Sequence, residues 1–438
     1  MKENIIGRET QIADLETYME SGRSEFIAIY GRRRVGKTYL VKELFESRLL
    51  FRVTGMDNVN TQGQMQNFCH SMNIQFGTNH QAANWIEAFH LLEKEIEKDQ
   101  DKDVKILFFD ELPWFDTLTH KMLLSPFSLY EVEKYFKSRG FLYERGEIID
   151  CYMAIGGVAY YLSLFSNNQS VAQNIQRLCF TAGGEMTDEF DKLFRSLFKK
   201  SDNHVAIVTA LKEKGMGMTR LELIEATKLP NNGNFSRLLN ELEQCEFIRS
   251  FTPFGKTQKE RMYQLIDPFT LFYFRFMHSK TTHLNNHWIK MQSTPKCQSW
   301  AGYAFEIVCL HHINQIVKAL GIDGCINIPC SWAYRPSAAT IANEEADEDI
   351  KRGVQIDLLI DRSDKAITVC EMKYSSHEYE IDKEYDSYVA RRMRIFTKVT
   401  KTRKTIIPTY ITPYGLYNNM YSRKIPRQVT GDDLFAMA

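Results

Sequence analysis

Residues 24 to 40 read Ser-Glu-Phe-Ile-Ala-Ile-Tyr-Gly-Arg-Arg-Arg-Val-Gly-Lys-Thr-Tyr-Leu. The apolar run Phe26 to Tyr30 predicts a buried strand. It runs directly into Gly31-Arg-Arg-Arg-Val35-Gly36-Lys37-Thr38, which fits the phosphate-binding pattern G-x-x-x-x-G-K-[ST]. Glycine at 31 and 36 lets the backbone turn tightly and approach phosphate oxygens with no Cβ in the way. The loop amides converge at the start of the next helix, whose positive dipole end favours an anion. Gly31, Val35, Gly36, Lys37, Thr38 and the following Tyr39 are the candidate nucleotide-binding residues. Lys37 is expected on the β and γ phosphates of ATP, and Thr38 on Mg2+.

A second apolar run, Val104 to Phe109, ends in Asp110-Glu111. As the partner strand it offers Asp110 to the metal, directly or through water, and Glu111 to the attacking water as a general base. The plainer alternative is that the two acids only cap a buried strand.

A chain of 438 residues is too long for one core, so two to four domains are expected. Lys plus Arg and Asp plus Glu both number 55, which excludes a globally basic nucleic-acid coat and leaves only local patches for such contacts. The nine cysteines are scattered with no C-x-x-C pair, as for reduced core thiols and not a disulfide framework or zinc site. No apolar run reaches bilayer length and no signal core follows Met1, so a cytoplasmic protein without a membrane segment is expected.

Ile5-Ile6-Gly7-Arg8-Glu9 precedes a helix-period stretch through Ile12, Leu15, Tyr18 and Met19. From the residues alone, a fold over the adenine and a surface turn with an amphipathic helix are equally open. Ile6-Gly7-Arg8-Glu9, the phosphate loop and Phe108-Phe109-Asp110-Glu111-Leu112-Pro113-Trp114 together resemble the archaeal-type ATPases. These belong to the AAA-like, signal-transduction group of P-loop NTPases and are often fused to a nuclease-like domain. The resemblance implies an adenine-side contact for Arg8. Arg32, Arg33 and Arg34 add positive potential near the phosphates, or are solvated, or meet a partner.

After Trp114 the sequence departs from that pattern. A further strand-helix unit is expected there, and a βαβ crossover takes roughly 30 residues. Only Phe115 to Lys121 intervene before Met122 to Phe136, which resembles the family's entry to a helical lid. Either a segment is omitted from the chain or it has been lost; loss would leave binding possible and put hydrolysis in doubt. Ser128 to Tyr135 and Glu147 to Phe165 show helical spacing, and Ile155 to Leu162 resembles the glycine-pair lid motif, with Ala159 where the family has proline.

From His204 the pattern predicts three helices, Val205 to Glu213, Arg220 to Thr227 capped by Thr219, and Asn234 to Glu246, then a hairpin. This is a winged-helix arrangement. The third helix would present Asn231, Asn232, Asn234, Ser236 and Arg237 to a major groove, and the wing Lys256, Lys259 and Arg261 to phosphates. Glu241, Glu243 and Glu246 on the same helix oppose DNA, so a protein contact is the competing expectation. Phe269 to Met277 reads as an aromatic core helix.

Ser299 to Leu310 predicts a helix carrying Glu306, and Val354 to Ile360 and Ala366 to Tyr374 a hairpin of strands. Period two puts Gln355, Asp357 and Leu359 on one face, and Val369, Glu371 and Lys373 on one face. Asp357, Glu371 and Lys373 are therefore expected to converge. Buried charges need partners or a metal. Two carboxylates and a lysine suit one Mg2+ and an activated water, with Glu306 as a further ligand. The order Glu306, Gln355-Ile356-Asp357, Glu371-Met372-Lys373 resembles the PD-(D/E)xK nucleases. A buried acid–lysine pair without metal is the alternative. The basic tract Arg391, Arg392, Arg394, Lys398, Lys401, Arg403 and Lys404 is either a phosphate-tracking face or solvated surface, and residues 337–350 read as a mobile polar insertion.

The expected fold is α/β: a P-loop NTPase parallel sheet (1–120), a helical lid (121–202), a winged helix (203–267) and a restriction-endonuclease-like α/β domain (268–438). The expected function is an ATP-binding and hydrolysing switch coupled to a Mg2+-dependent nuclease-like domain acting on DNA. The runner-up is an ATP-dependent signalling or binding module with an inactive nuclease fold. Glu111, Asp357, Glu371 and Lys373 are the candidate catalytic residues; Thr38, Asp110, Glu306, Asp357 and Glu371 the candidate metal ligands.

Overall fold

Alternating apolar residues in a short central strand require cover on both faces, and the N-terminal unit, Met1–Leu124, supplies it. The computed structural model describes residues 4–437 apart from 57–58, 101–103, 112–119, 199, 279–286 and 343–348. Strand β1 is Ile27–Tyr30, β2 Leu49–Thr54, β3 Ile106–Asp110 and β4 His120–Leu123, with helices α1 Glu9–Met19, α2 Lys37–Phe45, α3 Thr61–Phe76 and α4 Trp85–Lys98. Ile106 and Phe108 of β3 pack towards α1 and α2, beside Leu15, Leu40 and Val41. Leu107 and Phe109 pack the other way, towards α3 and α4, beside Phe68 and Leu92.

One continuous parallel sheet is expected from the sequence. The strands instead form two parallel pairs, β1 with β4 and β2 with β3. Among the described residues no pairing joins β1 to β3. Residues 111–119, all that separate β3 from β4 along the chain, are far fewer than the roughly 30 of a βαβ crossover. Leu112, Pro113, Trp114 and most of the junction after them lie outside the described residues.

The second unit, Ser125–Ala438, opens on α5 (Leu129–Ser138), which starts with a reciprocal capping box between Ser128 and Glu131. Helix α6 (Arg145–Ile155) ends at Gly156, so the helical stretch expected over Glu147 to Phe165 is broken at the glycine pair. Three helices follow, α7 Ser201–Leu211, α8 Arg220–Thr227 and α9 Gly233–Gln244, beside a small antiparallel sheet of β5 (Met218–Thr219), β6 (Ile248–Phe251) and β7 (Met262–Leu265). Thr219 caps α8 as its sequence predicts. The aromatic run is helical, Pro268–Phe272 continuing through Met277, and its Phe269 and Phe272 are fully buried.

The C-terminal part holds a five-stranded sheet in the order β12-β11-β10-β9-β8. These strands are β8 Asn327–Tyr334, β9 Val354–Arg362, β10 Ala366–Met372, β11 Thr405–Thr412 and β12 Arg427–Thr430. Pairing is antiparallel through β8, β9 and β10 and parallel through β10, β11 and β12. Helix α10 (Pro295–His311) packs on β10, and α11 (Lys383–Thr400) covers the sheet with Ile395 and Phe396. Of the expected polar insertion, Ala338–Ala342 forms a short helix and residues 343–348 lie outside the described set.

Candidate nucleotide site and acid cavity

The phosphate loop is held open by backbone conformations that side chains resist. Gly31 has φ 129°, Arg34 71° and Gly36 96°. A Cβ on Gly31 would come within 2.5 Å of the Leu124 carbonyl oxygen, whereas one on Gly36 would meet nothing within 4 Å. Gly36 caps the N-terminus of α2, so the unpaired amides of that helix face the loop. Lys37 Nζ donates to the carbonyls of Gly31 (3.0 Å) and Arg32 (2.8 Å), which closes the ammonium over the loop. Thr38 Oγ1 donates to Asp110 Oδ2 at 2.9 Å, linking the helix start to the end of β3. Glu111, at φ 56°, turns the chain sharply and its amide donates to Asp110 Oδ1. Val35 is buried and its carbonyl accepts from Arg8 Nη2 at 3.2 Å. Arg8 is 5% exposed and buttresses the loop from behind. Tyr39 is half exposed, its hydroxyl donating to the Asn4 carbonyl.

This donor set fits a nucleoside triphosphate with Mg2+. A hydroxyl and a carboxylate 2.9 Å apart at the helix start are one hard-oxygen pair for the cation, and the amides and Lys37 supply positive charge for phosphates.

The C-terminal acids are arranged differently from the expectation. Cys330 pairs with Leu359 but Trp332 pairs with Ile356, so three steps of β9 oppose two of β8. Ile356 and Leu359 consequently pack into the same core with Ile395 and Phe396. The regular alternation of Gln355, Asp357 and Leu359 is lost at this bulge, and Asp357 lines a small cavity with Glu306 and Met372. Glu371 has a further partner: Arg392 Nη1 lies 3.0 Å from one Glu371 oxygen and donates to the other at 3.3 Å, while Glu371 and Lys373 both act electrostatically on Glu306. Lys373 Nζ is 3.6 Å from Glu371 and sits over the Tyr385 ring. Asp357, Glu371 and Lys373 are the charges felt by Glu306, and Glu371 is paired in addition with Arg392. Among the described residues no group of three or more His, Cys, Asp or Glu is placed to hold a metal ion. Arg392, which the sequence offers only as one member of a basic tract, is the buried partner of Glu371.

Burial raises the Glu306 carboxyl to about 8; Asp357 adds to the rise and Lys373 opposes it. The same cavity is lined by Arg249, Phe251 and Gln264 of the small sheet and by Ser331 of β8. Burial lowers the Arg249 guanidinium to about 10, which leaves it charged at neutral pH.

Other expected contact surfaces are already engaged. Asn232 caps α9, Asn231 accepts from Arg220 and Asn234 accepts from Arg237. Lys256 pairs with Glu260, Arg394 with Asp349, and Lys404 with Asp361. All nine cysteines are free thiols, most of them buried. Among the described residues no helix is long and apolar enough to cross a membrane.

Residues 5–138 match the family model described as an ATPase domain predominantly from Archaea. Over this stretch, under a third of the chain, the sequence is similar to ATPase domains of that family. No curated protein matches the chain. Among solved structures, a chain from the structure of Drosophila ORC bound to DNA matches at 13% identity and TM-score 0.27, covering 62% of this chain and 87% of that one.

Proposed function

We propose that the protein is an ATP-driven switch that binds and hydrolyses Mg2+-ATP at the loop between β1 and α2. The observation that carries this reading is the Thr38–Asp110 hydrogen bond at the mouth of a loop already wound for phosphate. When bound, Mg2+ would screen charge on the β and γ phosphates. Thr38 and Asp110 would hold it, Lys37 would exchange its two carbonyl partners for phosphate oxygens, and Arg8 fixes the Val35 peptide that shapes the loop. Glu111 follows the metal-side acid directly and orients the attacking water. Purified protein should hydrolyse ATP with Mg2+ present, and Lys37→Ala should abolish both turnover and binding of a fluorescent ATP analogue. Unchanged turnover in that variant overturns the reading.

A second reading concerns the C-terminal sheet, as a PD-(D/E)xK-like domain acting on DNA, with the segment of α7 to β7 as a winged helix. It is favoured by Glu306 of α10 and Asp357 of β9 sharing one cavity, in the strand order the motif requires. Glu306 and Asp357 are the residues to hold a divalent ion, and Lys373 steadies the charge beside them. The Glu371–Arg392 pair and the ion pairs along the basic tract weigh towards the binding-module alternative. Cleavage of DNA with Mg2+ or Mn2+ that Asp357→Ala removes, leaving ATP binding intact, distinguishes the two.

A further inference from the structure

The two units of the chain join at the peptide bond between Leu124 and Ser125. On the N-terminal side, Leu124 is fully buried and its amide donates to the Tyr30 carbonyl at 2.8 Å. Its own carbonyl is the group that leaves no room for a Cβ on Gly31. Leu124 is therefore fastened to the strand end and the glycine that open the phosphate loop. On the C-terminal side, Ser125 Oγ donates to Glu246 Oε1 at 2.9 Å. Two residues on, the Phe127 amide donates to the Gly157 carbonyl at 2.7 Å. The attachments on the two sides fall on consecutive residues, so no slack separates them.

Glu246 is an unusual residue for its place. It lies between α9 and β6 with φ 57°, the left-handed conformation that helix ends usually give to glycine or asparagine. The turn is closed by the Phe247 amide, which donates to the Leu242 carbonyl at 3.0 Å. Ser125 holds one oxygen of the Glu246 carboxylate; the other, Oε2, is buried with no hydrogen-bond partner among the described residues. Loss of the Ser125 donor leaves a buried carboxylate unsatisfied, which drives it towards water and releases the turn that carries it.

We propose that the Ser125–Glu246 hydrogen bond is a latch between the phosphate loop and the corner of α9 and β6, closed while Lys37 sits on the Gly31 carbonyl and released when Lys37 turns to phosphate. The latch rests on the first reading above, that this loop takes ATP. Lys37 Nζ holds the Gly31 carbonyl at 3.0 Å, so its departure frees the glycine that abuts Leu124. Leu124 carries Ser125 with it across one peptide bond. A shift of about 0.7 Å takes a 2.9 Å contact beyond hydrogen-bond range. The left-handed turn is the two-state element, and a loop that biases the turn is biased by it in return.

Hydrogen exchange over residues 242–251 and titration with a fluorescent, non-hydrolysable ATP analogue and Mg2+ read the two ends. In the parent protein, saturating analogue should speed this exchange about fivefold. Ser125→Ala, already released, should exchange at the faster rate without nucleotide and bind the analogue about fivefold more tightly. Glu246→Gly removes the carboxylate and relieves the turn; it should tighten binding in the same way, and it carries the test where Ser125→Ala fails to fold. Glu246→Gln keeps an acceptor for Ser125 and should behave as the parent. A merely structural hydrogen bond would raise exchange in Ser125→Ala without moving its affinity for the analogue. Unchanged or weaker affinity in either releasing variant, or parent exchange that the analogue does not alter, overturns the latch and leaves the nucleotide reading standing. No analogue binding in any form removes the nucleotide reading and the latch with it.

Discussion

The backbone amide of Leu129, the first residue of α5, donates to His312 Nε2 at 2.9 Å. An amide can only donate, so Nε2 carries no proton, and Nδ1–H donates to the Val308 carbonyl at 2.7 Å. One imidazole therefore satisfies an orphan amide of the first helix in this unit and an acceptor on α10, while itself wholly buried.

That arrangement makes the second unit acid-sensitive. Burial, helped by the neighbouring His311, lowers His312 from 6.5 to about 4. The unfolded chain takes up this proton near pH 6.5 and the folded chain does not. The stabilisation is complete above pH 6.5 and is lost as pH falls towards 4. The loss reaches about 3 kcal/mol at its limit. Denaturant unfolding of the intact protein at pH 7 and pH 5 should show the fall, and His312→Leu should show a weaker unit with a flatter pH profile.

Gly157 is a packing requirement. A Cβ there would lie 1.8 Å from the Phe127 carbonyl oxygen, and the Gly157 carbonyl accepts from the Phe127 amide at 2.7 Å. Gly157→Ala should lower stability by about 3 kcal/mol or more, through strain that two backbones cannot relieve. Gly233→Ala, at the open start of α9 with nothing within 4 Å, should be neutral or slightly stabilising. Thermal unfolding of the two variants side by side separates steric from conformational effects.

Arg392 and Glu371 are 5% and 8% exposed at the side chain. Arg392→Ala removes the buried counter-charge of Glu371 and leaves only the more distant Lys373, at 3.6 Å, so it should cost about 3 kcal/mol. Arg392→Met combined with Glu371→Leu should recover most of that loss, since an apolar pair of similar volume needs no counter-charge. Chemical denaturation of both singles and the double gives the coupling energy directly.

Arg8 acts through the loop. Its guanidinium holds the Val35 carbonyl from a buried seat. Arg8→Ala should weaken ATP binding by about tenfold, the scale of one charge-assisted hydrogen bond. Arg8→Lys should not restore it, because an ammonium lacks the planar fork. Titration with a fluorescent ATP analogue reads both variants.

The nucleotide site was legible in the residues because its chemistry is local. Gly31 to Thr38 is one contiguous turn between a strand and a helix, and its backbone angles are set by the glycines themselves. The Thr219 cap was legible for the same reason. Asp357 was misplaced because the period-two rule assumes an unbroken ladder, and a single extra residue between Ile356 and Leu359 redirects the side chains around it. The partner of Glu371 depended on which face of the sheet α11 covers, and the partner of Leu129 on a histidine 183 positions away.

By itself the sequence determined the phosphate loop, the order of helices and strands, and the scatter of nine cysteines with no paired spacing. Only the tertiary structure decided that Glu306 and Asp357 line one small cavity, that Glu371 answers to Arg392, and that His312 answers to Leu129. Local backbone preference is written in neighbouring residues, whereas the pairing of buried charges is settled by which distant elements pack together and exclude water.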